Sequence, residues 1–187
     1  MLPITENELE CIIKEFKGKI SAGYDEILQF VVKQCAKFVK GPLAQIYSIS
    51  INSGTFPEKL KVAKVKAFYK NEIFTVYKII DQYQFYLFFS KLLEKLIYSR
   101  LTMFLNKHNI ITEVHNGFRE EKSTTTAIQS FIERIQEAMD NGLQTIGIFF
   151  DLTKAYDELN HRVMLDKLCS YGMRGNIKSG FKSYLTD

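Results

Sequence analysis

One stretch of the chain decides the fold: residues 146–161 read IGIFFDLTKAYDELNH. The apolar run from Leu143 to Phe150 is long enough to predict a buried strand, and this strand would end at Asp151. An ionised carboxylate in that place must be hydrated, hydrogen-bonded, paired or metal-bound, because a bare charge in apolar surroundings is very costly. The run therefore indicates either a functional carboxylate at Asp151 or a residue that caps the turn or helix after it.

Two further side chains in this stretch have ordinary explanations. Asp157 follows Asp151 by six positions, about one and two-thirds helical turns, which directs it away from the Asp151 side. On spacing alone, Asp157 is a structural acceptor or a cap rather than a second ligand. Tyr156 is by default expected to be a packed core aromatic.

The composition is that of a folded protein. The 187 residues suffice for one small domain or for a piece of a larger one, and 46% apolar with 25% charged residues excludes a disordered tail, a collagen or a low-complexity linker.

Cys11, Cys35 and Cys169 lack C-x-x-C spacing, which favours a reducing, intracellular setting over a disulfide framework. No signal peptide is expected, and the five-residue apolar run 85–89 is far below the roughly 20 residues that cross a bilayer.

The distribution of charge says more than its formal sum of +4. Residues 1–56 carry six basic and six acidic side chains, residues 57–107 carry ten and four, and residues 108–187 carry nine and eleven, so the net charges are 0, +6 and −2. A basic middle followed by a carboxylate-rich part suits a site that holds both a phosphate backbone and cations.

Hydrophobic periodicity predicts a mainly helical chain. Thr5 and Glu8 have capping-box spacing at the start of a first helix. The pattern then predicts helices from Ile27 to Val39, from Leu43 to about Gly54 after a break at Gly41-Pro42, from Leu92 to Leu105, from about Thr124 to Met139, from Val163 to Cys169, and from about Asn176 to Tyr184. Residues 60–70 partly alternate apolar and lysine side chains, which predicts a half-exposed strand with one basic face, and residues 71–89 show no clean period.

Four collinear blocks resemble the reverse transcriptases of non-LTR retrotransposons. FFDLTKAYD at 149–157, followed by Leu159-Asn160-His161, resembles the family's first palm motif, F-x-D-L-x-K-A-F/Y-D-x-V-N-H. NGFR at 116–119 with Ser123-Thr124 resembles Q-x-G-F-R-x-x-x-S-T, and FSKLLEKL at 89–96 resembles the F-S-K-x-L-E-K helix. SAGYD at 21–25 and GTFP at 54–57 resemble the S-x-G-x-D and G-x-F-P segments.

The resemblance implies roles for matching residues. Asp151 would be a catalytic carboxylate that binds Mg2+ in a two-metal polymerase site, and Tyr156 would lie under the deoxyribose and exclude a 2′-hydroxyl. Lys64, Lys66 and Lys70 would approach the triphosphate, Lys70 above all. Arg119 and Lys154 would contact template or primer phosphate. By itself, each of these lysines would be explained as a solvated surface charge.

Departures from the family pattern are equally informative. Where the family has Y-R-P-I-S-L-L-P, this chain has YQFYLF at 83–88, so Gln84 replaces the phosphate-gripping arginine and the proline is absent. A neutral amide lacks the cationic fork that suits phosphate. The 187 residues contain no Asp-Asp pair of the kind found in the family's Y-x-D-D turn. We therefore expect this polypeptide alone to bind Mg2+ weakly and not to extend a primer.

The resemblance implies an α+β fold: part of a right-hand polymerase, with helix-rich fingers over residues 1–115 and the start of the palm over 116–187, without the rest of palm and thumb. The implied function is RNA-directed DNA polymerisation, with RNA template, DNA primer and dNTPs as partners and an endonuclease domain elsewhere. The implied location is the nucleus and cytoplasmic ribonucleoprotein.

Two alternatives remain open at this stage. One is a catalytically dead retroelement remnant that at most binds RNA through its basic middle segment. The other is a group II intron maturase or another palm polymerase, which would share the chemistry of Asp151 but fits the FSKLLEK and GFR blocks less well.

Overall fold

The structure is a computed structural model that describes residues 3–18, 22–69, 80–152, 155 and 158–186, with side chains left out at 66–69 and 80–85. Eight helices and two strands lie in these ranges: α1 Glu6–Glu15, α2 Gln29–Gln34, α3 Ala36–Ser53, α4 Glu58–Lys61, β1 Ala63–Tyr69, β2 Ile80–Tyr86, α5 Phe88–Lys107, α6 Thr124–Asp140, α7 His161–Ser170 and α8 Asn176–Leu185. The chain forms two compact units, residues 1–102 with 160–187, and residues 103–159. None of the described helices is both long and apolar enough to span a membrane.

The hydrophobic core of the first unit is built by α1, α3 and α5. Its fully buried side chains include Leu9, Tyr47, Phe88 and Leu92. The predicted start of α1 is confirmed, because the Thr5 hydroxyl accepts a hydrogen bond from the Glu8 backbone N–H at 3.2 Å. This cap satisfies one of the donors that the first helical turn leaves without a partner.

The predicted helix break at Gly41-Pro42 is wrong. α3 runs through Pro42, and the boundary between the second and third helices lies at Cys35 instead. A proline inside a helix costs about 3 kcal/mol, because it removes one backbone hydrogen bond and crowds the preceding turn. Burial of Leu43, Ala44 and Tyr47 directly after it offsets that cost.

A two-stranded antiparallel sheet follows α4. The predicted strand is confirmed over Ala63–Tyr69, whereas residues 58–61 form the short helix α4. Its partner β2 lies in the segment whose pattern predicted no element, and Val65 stands opposite Gln84. Lys64 is exposed and Val65 is 54% exposed, so both faces of β1 are open to solvent at these two positions.

α8 packs onto the C-terminal end of α3. Gly54 ends α3 in the left-handed conformation with φ of 67°, and a Cβ there would lie 2.7 Å from the Asn176 carbonyl oxygen. Phe56 is buried with its ring centroid 4.7 Å from that of Tyr184, and its backbone N–H donates to the Ser183 hydroxyl at 3.0 Å. The GTFP block therefore joins α3 to α8.

The second unit contains α6 and the stretch that opened the sequence argument. α6 begins with a reciprocal capping box between Ser123 and Thr126 and ends at Asn141, as predicted. The predicted buried strand at 143–150 is wrong: these residues lie outside helix and strand, and Phe150 is 86% exposed. A strand needs a neighbour for its backbone hydrogen bonds, and the described part of this unit offers none.

The fold prediction is therefore confirmed in its coarse form. The described residues are rich in helix and contain one small sheet. The assignment of fingers and palm stays a prediction.

Candidate functional site

Asp151 lies on an exposed segment of the second unit. Two residues before it, the Phe149 ring meets Phe131 of α6 edge-on at 5.8 Å between centroids, which holds this segment beside α6. Asp151 is exposed, and it makes no hydrogen bond or ion pair with any described residue. The capping alternative depends on the N–H groups of residues 153 and 154, which lie outside the described residues.

Arg119, the predicted phosphate contact, is engaged within its own loop. Its Nη1 donates to the Thr112 carbonyl oxygen at 3.0 Å, and its Nη2 lies 3.9 Å from a Glu113 carboxylate oxygen. The Arg119 side chain is 21% exposed. These contacts hold the loop before α6, and a phosphate would have to share the guanidinium with them.

Of the three predicted nucleotide-binding lysines, the structure describes Lys64 completely and only the backbone of Lys66. Lys64 is exposed on β1, and Lys66 follows two positions later on the same strand, with its side chain outside the described part. Lys70, Tyr156 and Lys154 lie outside the described residues altogether. Their roles stay predictions.

Strand register separates the predicted lysines from the position of the missing arginine. Position 64 pairs with 85, and position 66 with 83, whereas position 84 pairs with 65. Directly paired positions of an antiparallel ladder share one face, and successive positions alternate. The backbone therefore assigns positions 64 and 66 to one face of the ribbon, together with aromatic positions 83 and 85, and position 84 to the other.

The FSKLLEK block has a structural role that its resemblance did not reveal. Ser90 is fully buried, and its hydroxyl donates to Glu94 Oε1 at 3.0 Å one turn along α5. The Tyr184 hydroxyl donates to the same oxygen at 3.2 Å. Burial, followed by the Glu94 charge and this hydrogen bond, raises the pKa of the Tyr184 phenol above its ordinary value. Glu94 therefore accepts hydrogen bonds from α5 and α8 at one point.

Sequence reasoning assigned no function to Glu94 or Tyr184. The spacing of Ser90 and Glu94, four residues apart on one helix face, was a usable signal for their contact. Nothing in the sequence pattern brings Tyr184 to them from 90 residues away.

A metal centre is not formed by the described residues. They contain no group of three or more His, Cys, Asp or Glu side chains arranged to hold an ion. Magnesium prefers an octahedral oxygen shell and is held in proteins through one or two carboxylates together with substrate phosphates and waters. Asp151 supplies at most one of those ligands, so the described residues do not fit a two-metal site.

Comparison with known proteins agrees with the motif resemblance. Over 195 aligned residues, 99% of this chain is 27% identical to the probable RNA-directed DNA polymerase from transposon BS of Drosophila melanogaster. Over 171 residues, 88% of the chain is 25% identical to the RNA-directed DNA polymerase from mobile element jockey of the same species. The chain is similar to non-LTR reverse transcriptases.

No family model matches the chain. This reverse-transcriptase-like chain spans about a fifth of the length of the curated relatives that it matches, 20% and 18%. The resemblance to non-LTR reverse transcriptases that four motif blocks indicated is thus confirmed by relatives aligned over most of the chain.

Proposed function

We propose that this chain is part of an RNA-directed DNA polymerase of a non-LTR retroelement, with fingers over 1–115 and the start of the palm over 116–187. The observation that carries the proposal is the collinear match of four motif blocks within a chain that aligns over 99% of its length with a transposon polymerase. The substrates of the complete polymerase are an RNA template, a DNA primer and dNTPs. In the cell it acts in the nucleus and in cytoplasmic ribonucleoprotein.

Asp151 is the proposed catalytic carboxylate, and Mg2+ is the proposed cation of the complete enzyme. The exposure of Asp151 supports this role, because a buried carboxylate could not be reached by a metal ion and a paired one would be occupied by its partner. Phe149 supports it too, since its contact with Phe131 restrains the segment on which the carboxylate lies. The described residues form no cluster of three or more metal ligands, so the proposal assigns the remaining ligands to residues outside them.

The β1–β2 ribbon is the proposed nucleic-acid surface. Its register sets the lysine positions 64 and 66 opposite the aromatic positions 85 and 83. Basic and aromatic residues together suit single-stranded nucleic acid, because cations attract the backbone and rings stack on bases. Lys61, in contrast, is already engaged: its ammonium donates to Glu58 at 2.8 Å and to the Thr186 carbonyl at 2.9 Å.

Salt-dependent binding tests this surface. Fluorescence anisotropy would measure the affinity of the 187-residue chain for a labelled RNA template annealed to a short DNA primer. Replacing Lys64 and Lys66 by alanine should weaken binding and reduce the salt slope by about one to two units, because each phosphate contact contributes about 0.7–0.9. Replacing the exposed Lys37 and Lys178 by alanine is the matched control and should change neither value as much.

Two results would overturn the proposed surface: no salt-dependent binding, or equal effects of the two double variants. The second candidate function, an RNA-binding remnant without catalysis, is favoured by Gln84 in place of the arginine. Binding alone is compatible with both candidates. A chimeric transposon BS polymerase that carries this chain in place of its matching segment separates them, because only the polymerase predicts nucleotide incorporation that depends on Asp151.

A further inference from the structure

A cavity of about 300 Å3 lies within the first compact unit, where α3, α5 and α8 meet. Its wall is mainly apolar and comes from three stretches of the chain, within residues 50–56, 94–101 and 176–184. The apolar lining includes Ile51, Phe56, Ile97, Leu101, Ile177 and Phe181. Cavities of this size and character are typical of small-molecule sites, which combine an apolar wall with a few placed polar groups.

Glu94 is the charged side chain of this wall. Its Oε1 is fixed by the hydroxyls of Ser90 and Tyr184, at 3.0 and 3.2 Å. Neither hydroxyl carries a positive charge, and Glu94 forms no ion pair with any described residue. A carboxylate at an apolar wall is poorly hydrated on that side. A cation that enters the cavity would therefore pair with the negative charge of Glu94.

Volume and charge together define the ligand. A cavity of about 150 Å3 takes one benzene, so 300 Å3 accommodates a ring with a short substituent, roughly 8–12 non-hydrogen atoms. The body has to be apolar to match the isoleucine, leucine and phenylalanine wall. The polar end has to donate hydrogen bonds to Glu94.

We infer that this cavity binds a small arylalkylamine, or a branched aliphatic amine of similar size, in its protonated form with the ammonium group paired to Glu94. The ring or branched chain occupies the space between Ile97, Leu101 and Phe181. All of its lining residues lie in the first unit, and none of them is Asp151 or belongs to the β1–β2 ribbon.

Three probes of nearly equal shape test the assignment on the 187-residue protein: 2-phenylethylamine, which is cationic at pH 7, the neutral 2-phenylethanol, and the anionic 3-phenylpropionate. Saturation-transfer NMR and isothermal titration calorimetry would measure binding. For ligands of this size the amine should bind with a Kd of roughly 0.1–1 mM. The alcohol should bind about tenfold more weakly, because one charge-assisted hydrogen bond is replaced by a neutral one, and the anion should not bind.

The isosteric change Glu94→Gln keeps an acceptor for Ser90 and Tyr184 but removes the charge. It should abolish the preference for the amine over the alcohol while both still bind. Two cavity-filling variants, Gly180→Leu and Leu101→Trp, should abolish binding of both probes, with folding checked by circular dichroism. If one of them fails to fold, the other decides.

Three outcomes would overturn the inference. The first is no binding of the amine to the unmodified protein. The second is an unchanged preference for the amine in Glu94→Gln. The third is undiminished binding in a folded cavity-filling variant.

Discussion

Replacing Gly54 by alanine should destabilise the first unit by about 1–4.5 kcal/mol. Gly54 has φ of 67°, and an L-residue in this left-handed conformation costs about 1–2 kcal/mol. The new Cβ would also lie 2.7 Å from the Asn176 carbonyl oxygen and 2.9 Å from the Ser179 Cβ. Because backbone cannot move aside as a flexible side chain can, this overlap adds about 1–3 kcal/mol. A smaller unfolded-state entropy in the variant offsets about 0.4–1 kcal/mol of the total.

Urea unfolding followed by circular dichroism at 222 nm would measure this change, as a lower midpoint at an unchanged m-value. Gly180→Ala is the matched control in the facing helix. Its Cβ would make an ordinary contact of 3.9 Å with Gly54, and alanine is favoured over glycine inside a helix by about 0.8–1 kcal/mol. The control should therefore be neutral or stabilising. A loss below about 1 kcal/mol for Gly54→Ala, or an equal loss for both variants, would refute the packing of α8 against α3.

Other predictions concern buried contacts and the exposed apolar run. Arg100→Ala should lower the free energy of unfolding by about 1–3 kcal/mol at pH 7, because its Nε and Nη2 donate to Glu8 at 2.8 and 2.6 Å. The Arg100 hydrogen bond lowers the pKa of Glu8 below 4.5. The stability from this pair is therefore present above pH 4.5 and is lost as the pH falls through the lowered pKa. A Glu8→Gln variant whose stability has the same pH dependence as the unmodified protein would contradict this. Tyr47→Phe should cost about 1–2 kcal/mol, measured by urea unfolding, since the buried hydroxyl donates to the Phe89 carbonyl at 2.7 Å; an unchanged midpoint would speak against that bond. Phe150→Ser should raise the soluble fraction without lowering the melting temperature, because this ring is 86% exposed; unchanged sedimentation would show that the apolar run does not drive aggregation.

Local sequence signals predicted most helices because those signals are themselves local. Thr5, Ser123 and the stretch at Asn141-Gly142 mark helix ends by caps and turns that act over three or four residues. Pro42 misled the prediction, since the burial of the residues after it is a tertiary effect that outweighs a local preference. The length and composition of residues 143–150 favoured a strand, but a strand also requires a partner.

The candidate site was less accessible from sequence. Motif resemblance made Asp151 a candidate but gave none of its contacts, and its role stays a prediction. It could not distinguish ligand contacts from structural ones, as Arg119 and the FSKLLEK block show. The role of the GTFP block depends on contacts of Gly54 and Phe56 with α8, more than 120 residues further along the chain, which no local pattern predicts.

Asp151-dependent nucleotide incorporation tests the central claim most directly. The chimeric transposon BS polymerase that carries this chain would be assayed for dNTP incorporation on an RNA template with a DNA primer and Mg2+. The account predicts that the chimera incorporates dNTPs. Asp151→Asn should reduce incorporation by at least about a hundredfold, as expected for loss of a group that stabilises charge in the transition state. The control Asp166→Asn, on the exposed surface of α7, should keep near-normal activity. A folded, template-binding chimera in which Asp151→Asn incorporates as well as its parent, or in which no incorporation occurs, would contradict it.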